Sequence, residues 1–228
     1  MPAAAAVDTP ATTESSGEPM SALFLAARGD ATLIAVTEQL VGDPWLHARR
    51  FQYAGNVGPV TLPEATELAL WTFGRTVARH GGLVGLFGVD FLSAAGVAYP
   101  VEINPRYTAS VEVIEHATAA ALMAAHRTAC EGGGVRRKPP TPHRVVGKAV
   151  YYAPFPITFP AAGPWDDDAF DPWRLPPFAD VPDPGSRIEP GWPVFTLFEA
   201  GSSPAAVRAR LQSRAAELDA RFSEGPTG

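Results

Sequence analysis

The chain has little that would tie it to an oxidising compartment, a membrane or a polyanion. A single cysteine, Cys130, occurs among its 228 residues. No internal disulfide can form, the thiol is expected as a small apolar residue at a helix end, and a reducing cytoplasm fits. No stretch approaches the roughly 18 consecutive apolar residues that a membrane span needs. The opening MPAAAAVDTPATTESSGEPM has neither a positive n-region nor an apolar run, which excludes a secretory signal. Its low complexity before Gly17 predicts a disordered leader over residues 1–16. Charge is sparse at 18% and net −6, with a pI near 5.4, so the basic stripe required by a nucleic-acid backbone is missing. The five histidines (His47, His80, His116, His126 and His143) show no metal-ligand spacing and are expected in the core or on the surface.

What is present is a globular pattern. Hydrophobic residues make up 46% of the chain, enough to bury a core in one domain with a smaller appendage. Two apolar runs, Ser21–Arg28 and Ala31–Leu40, flank Gly29-Asp30 and predict a hairpin. After a turn-rich stretch through Gly55 and Pro59, a helix is expected from Pro63, with Leu70, Phe73 and Val77 on one face and Gly81-Gly82 at its end. Two further strands, Leu83–Leu92 and Val97–Asn104, are joined through Ala94-Ala95-Gly96. A single helix is expected from Ser110 to Glu131, stopped by Gly132-Gly133-Gly134.

Composition then changes. The 24 prolines are about twice the usual share and concentrate between Pro139 and Pro193. Residues 135–142 read as a basic, Pro-rich linker. Beyond it, 143–222 reads as a β-rich appendage: strands at His143–Ala153 and Val194–Glu199, a long irregular excursion between them, and a final helix. That helix has Ser203 as N-cap and Val207, Leu211, Ala215, Leu218 and Phe222 down one face. Residues 223–228 form a tail.

The chemistry concentrates in GLVGLFGVDFLSAAGVAYPVEINPRYTASVEVIE, residues 81–115. On a strand, Glu102 and Asn104 leave the same face, and a turn at Ala94–Gly96 would bring Asp90 opposite Glu102. Two carboxylates and an amide carbonyl form an all-oxygen donor set that suits magnesium. Arg106 follows two residues on, with a planar fork matched to phosphate or carboxylate. Spacing alone leaves the bland alternative open, because a Glu-X-Asn on a strand is usually solvated and Asp90 could belong to an ordinary surface pairing.

VEINPRYTASVEV resembles the last strand and following helix of ATP-grasp enzymes, where Glu-X-Asn-X-Arg recurs. GLFGVDFL resembles the preceding strand with the other acidic ligand, and GEPMSALFLAARGDATLIAVTEQ resembles the central strands. The resemblance runs from Gly17 to Glu115 and is nearest to the carboxylate–amine ligase branch, including tyramine–glutamate ligase-like proteins. It implies an α+β ATP-grasp C-terminal subdomain over 17–134, an antiparallel sheet with helices on one face. It also implies Asp90, Glu102 and Asn104 as ligands of magnesium (or manganese) with ATP, and Arg106 as the catalytic contact to phosphoryl oxygens. The implied substrates are a small carboxylic acid and an amine, joined as an amide through an acyl phosphate.

The resemblance omits the N-terminal lobe, which in that family supplies phosphate-holding lysines. Either a separately encoded N-terminal lobe completes the cleft as a partner, or the chain is a fragment or a degenerate relative. The alternative is a non-catalytic nucleotide- or partner-binding subunit or remnant. Gln39, Tyr53, Gly55, Asn56 and Pro59 are read as a structural loop rather than a substrate wall. Glu112 and Glu115 are read as acids favoured at a helix N-terminus, and Lys148 as solvated at its tip.

Overall fold

The computed structural model describes residues 17–134, 138–166 and 174–223. The expected leader, the first residues of the linker (135–137), part of the irregular excursion (167–173) and the last tail residues lie outside the described residues. The strands are β1 (Glu18–Ala27), β2 (Asp30–Val41), β3 (Tyr53–Gly58), β4 (Gly85–Ala94), β5 (Val97–Asn104), β6 (Val145–Tyr152), β7 (Ile157–Thr158), β8 (Phe178–Ala179), β9 (Arg187–Ile188) and β10 (Pro193–Gly201). The helices are α1 (Glu64–Gly81), α2 (Ser110–Thr118), α3 (Leu122–Cys130) and α4 (Pro204–Ser223). Eight strands form one sheet in the order β5-β4-β1-β2-β3-β6-β10-β8, and β7 pairs with β9 apart from it. Every pairing is antiparallel.

Helices cover both faces of the sheet, where one face was expected. β1 explains why: from Met20 to Ala27 every residue is buried, so the strand has no solvent side. Ala22, Phe24 and Ala26 pack with Leu70 and Ala78 of α1. Leu23, Leu25 and Ala27 pack on the other side with Val111 and Ile114 of α2 and Leu122 and Ala129 of α3. α4 lies on the α1 side, where Val207, Leu211, Ala215 and Leu218 meet Val57, Ala149, Tyr151 and Leu197. The chain on either side of 135–142 shares one sheet, because β6 pairs along β3 from Gly58↔Val146 to Gly55↔Ala149.

The helix expected over 110–131 is two. Ala119 turns left-handed at φ 54° and closes α2 through its N–H to the Glu115 carbonyl. The Glu115 carboxylate then accepts the N–H groups of Leu122 at 2.6 Å and Met123 at 3.2 Å, satisfying orphan donors at the start of α3. Alanine-rich propensity favoured a continuous helix, and packing overrode it. The break lets α3 turn so that Leu122 and Ala129 reach the core. Cys130 ends α3 and is exposed, not buried.

α1 approaches β1 closely at Gly74, where an added Cβ would lie 2.3 Å from Cε1 of Phe24. Phe24 is stacked on Phe87 with centroids 5.0 Å apart and cannot retreat. Gly74→Ala is therefore expected to destabilise the fold by about 1–3 kcal/mol through overpacking, despite alanine's better helix propensity. Urea denaturation measures it, and a neutral or stabilising result would refute the close-packed α1–β1 contact.

Candidate active site

A row of polar side chains crosses the face of the sheet that carries α2. Register aligns Glu102 (β5) with Asp90 (β4), Asp90 with Ser21 (β1), Ser21 with Thr37 (β2), Gln39 with Asn56 (β3), and Asn56 with Lys148 (β6). Directly opposed residues of an antiparallel pair share a face, so the row follows from the strand pairing. Ser21, Gln39, Asn56, Asp90 and Glu102 of this row, with the start of α2, line a cavity of about 310 Å³ that also takes in Tyr53, Asn104 and Arg106.

Asp90 is the best-held of these groups. Gln39 Nε2 donates to its Oδ1 at 2.9 Å and Asn104 Nδ2 to its Oδ2 at 3.1 Å. Arg106 Nη2 in turn donates to Asn104 Oδ1 at 3.1 Å. Burial is the largest influence on the Asp90 carboxyl and pushes it above the ordinary carboxylate range. The Glu102 charge adds to that rise, while hydrogen bonds from Ser21 and Gln39 and the Arg106 charge oppose it.

The donor set suits a hard cation. Asp90 and Glu102 are facing carboxylates, and a cation near them would offset the burial and the Glu102 repulsion that both work against the Asp90 charge. Among the described residues, no group of three or more His, Cys, Asp or Glu side chains is placed to hold a metal. The soft and imidazole-rich sites typical of zinc or copper are thus not assembled there. Asn104 now points its N–H₂ at Asp90. Rotating the amide would present its oxygen instead and complete two carboxylates and one carbonyl.

Other expectations meet mixed outcomes. The stretch read as a loop contains β3, and Gln39, Tyr53 and Asn56 face the cavity. Pro59 lines a different hollow, beside Val60 and Pro139. Gly55 sits at φ 145° with Lys148 O only 2.0 Å from an added Cβ, so backbone approach dictates glycine there. Lys148 is not solvated at its tip: its side chain is 17% exposed, with Nζ 2.6 Å from Glu112 Oε2. Glu112 is thus tied to β6, and Glu115 caps the following helix rather than its own. His47 bonds Asp219 at 2.7 Å, and His126 Nδ1 accepts the Leu86 N–H at 2.9 Å, both far along the chain from one another and outside the cavity lining. The sequence reading missed Ser21, Thr108 and Ser110 as lining residues. Ser21 carried one signal, a hydroxyl inside the otherwise apolar run MSALFLAA.

The comparisons with known proteins bear on the fold. Residues 15–110 match the family model of the ATP-grasp domain. An L-amino acid ligase from Bacillus licheniformis has a similar structure, with TM-score 0.65 and 15% identity over 89% of this chain and 50% of that one. Phosphoribosylglycinamide synthetase from Anaerococcus prevotii gives TM-score 0.65 and 10% identity over 86% of this chain and 51% of that one. A biotin carboxylase complex from Campylobacter jejuni gives TM-score 0.61 and 15% identity, over 86% and 44%. No curated protein matches by sequence. The chain thus has an ATP-grasp fold and spans about half the length of these solved proteins.

Because the fold raises the Asp90 pKa, its stabilising share is present in acid and is lost as pH rises through the folded-state value. Asp90→Asn keeps the shape without the charge, and the flanking amides of Gln39 and Asn104 can rotate to match it. The variant should be more stable than the parent at neutral pH, with the difference vanishing below the ordinary carboxylate range. Denaturant midpoints at both pH values check this. A less stable variant at neutral pH would contradict it.

Proposed function

We propose that this chain is the metal-binding half of an ATP- and magnesium-dependent carboxylate–amine ligase, acting in the cytoplasm. The observation that carries the reading is the meeting of Asp90, Glu102, Asn104 and Arg106 at one cavity of an ATP-grasp fold. Two of the similar solved proteins are named as a ligase and a synthetase, which supports this reaction class.

In this reading a substrate carboxylate oxygen attacks the γ-phosphorus of ATP and ADP leaves. An amine nitrogen then attacks the carbonyl carbon of the acyl phosphate, phosphate leaves with the C–O bond electrons, and an amide remains. Activation is needed because a bare carboxylate has no adequate leaving group. Asp90, Glu102 and Asn104 would hold magnesium or manganese, which when bound neutralises phosphate charge. Arg106 donates N–H bonds to phosphoryl oxygens with its planar fork. It enters from the turn after β5, with Nη1 also bonded to the Tyr107 carbonyl at 3.1 Å, so its guanidinium is oriented before a ligand arrives. Gln39 and Ser21 keep Asp90 aimed into the cavity.

The second wall of the nucleotide cleft is assigned to a partner lobe bearing phosphate-holding lysines, because the chain spans only about half of the proteins it resembles. Phosphoryl transfer depends on positioning, and one wall leaves an acyl phosphate open to water. The chain by itself should release ADP well below ~1 s⁻¹, under the ordinary enzyme range, with acids and amines at saturating magnesium. Adding a lobe should restore turnover that Glu102→Ala and Asn104→Ala abolish. ADP release at enzyme-like rates from the chain alone would overturn the two-part reading. Silence under both conditions would leave a non-catalytic subunit or remnant.

The metal assignment has its own check. Manganese binding followed by electron paramagnetic resonance should be lost in Glu102→Ala, while the melting temperature stays within a few degrees, since Glu102 is exposed and contributes little packing. Equal affinity in parent and variant would remove Glu102 from the site.

A further inference from the structure

The wall of the cavity opposite Arg106 carries a hydrogen-bond chain whose direction is fixed. Tyr53 Oη donates to Asn56 Oδ1 at 2.5 Å. Asn56 Nδ2 donates to Thr37 Oγ1 at 2.9 Å and to the Glu38 carbonyl at 3.4 Å. Thr37 Oγ1 leans on the Ser21 carbonyl at 3.5 Å. Backbone carbonyls only accept, so they dictate how the chain runs. The Asn56 amide must keep its nitrogen toward Glu38 O, since the reversed amide would oppose two oxygens. Its oxygen is then left for Tyr53, and the phenolic hydrogen is committed to it.

Asn56 is 1% exposed, so no water competes for this arrangement. A second bond holds the segment: Tyr152 Oη donates to the Tyr53 carbonyl at 2.7 Å. Among the described residues no donor reaches the Tyr53 phenolic oxygen. Its remaining lone pairs line the cavity as acceptors, and Lys148, the cation in register with Asn56, is engaged by Glu112 at 2.6 Å. Burial keeps the phenol protonated, and the Asp90 charge adds to that. Arg106 lies at the other side, beside Asn104 and Glu102.

Resting on the ligase reading, we infer that the Tyr53 end of the cavity seats the nitrogen substrate, a primary amine or its ammonium form, which donates to the phenolic oxygen. The acid lies at the Arg106 end. Tyr53 thereby acts as a specificity-determining residue that excludes a second carboxylate, because an anion there would meet lone pairs.

The test uses two small probes on the isotope-labelled full chain, followed by nuclear magnetic resonance. Glycinamide has an amine and no carboxylate; N-acetylglycine has a carboxylate and no amine. Glycinamide should shift the Tyr53 and Asn56 amide signals and give contacts from its methylene to the Tyr53 ring, whereas N-acetylglycine should act near Arg106. The glycinamide response should vanish in Tyr53→Phe and persist in Glu102→Gln, which removes a competing carboxylate. The ring contacts in the parent protein keep the test decisive if Tyr53→Phe fails to fold. No response at Tyr53, a response lost in Glu102→Gln, or one unchanged in a folded Tyr53→Phe would each overturn the inference. Neither probe needs ATP, so failure of the ligase reading appears separately, as absent ADP release with the amine seat intact.

Discussion

Enclosure of β1 between two helical layers is the constraint on which the rest of the molecule depends. Phe24 stacks on Phe87 beneath α1, while Leu23 and Leu25 fill the space beneath α2 and α3. With both faces buried, a one-residue slip would exchange Ala22 and Phe24 for Leu23 and Leu25 and fit neither layer. Register is therefore fixed along β1, and through it along β4 and β2. Ser21 then falls opposite Asp90, and Gln39 comes within reach of the same carboxylate. The site inherits its precision from packing that contains none of its own residues.

The same arrangement sets a conflict between stability and chemistry. Asp90 belongs to a half-buried polar row in which burial and Glu102 both work against its charge. Gln39, Asn104 and Arg106 moderate the conflict without removing it, and a bound cation would. Lys148 and Glu112 handle the opposite end of the row differently, pairing at 2.6 Å beneath the Phe198 ring and tying α2 to β6. α2 is thus held against the sheet on two strands, and with it the hydroxyls of Thr108 and Ser110, bonded to each other at 2.9 Å.

Glu102 and Asn104 stand on β5, the outermost strand of the sheet. Its apolar side chains are unusually bare, with Val101 68% and Tyr99 52% exposed. Pro100 and the irregular register between Asp90 and Phe91 interrupt this edge, which limits open-ended strand addition. Two of the three proposed metal ligands therefore sit at the border of the described fold, while Asp90, one strand inward, provides the anchored third.

The sequence by itself determined the antiparallel α+β character, the β1–β2 and β4–β5 hairpins, α1, α4 and the facing of Asp90 and Glu102. Each of these rests on contacts a few residues apart, or on a turn such as Ala94-Ala95-Gly96 whose chemistry is local. Tertiary structure decided the rest. Helices on both faces, the break at Ala119, the joining of β6 to β3 and the placing of Asn56 and Lys148 on one polar row all depend on pairings between distant segments. Lys148 and Glu112 are separated by 36 residues, and Gln39 and Asp90 by 51. No periodicity encodes such distances, because register across a sheet is chosen by which buried faces fit together.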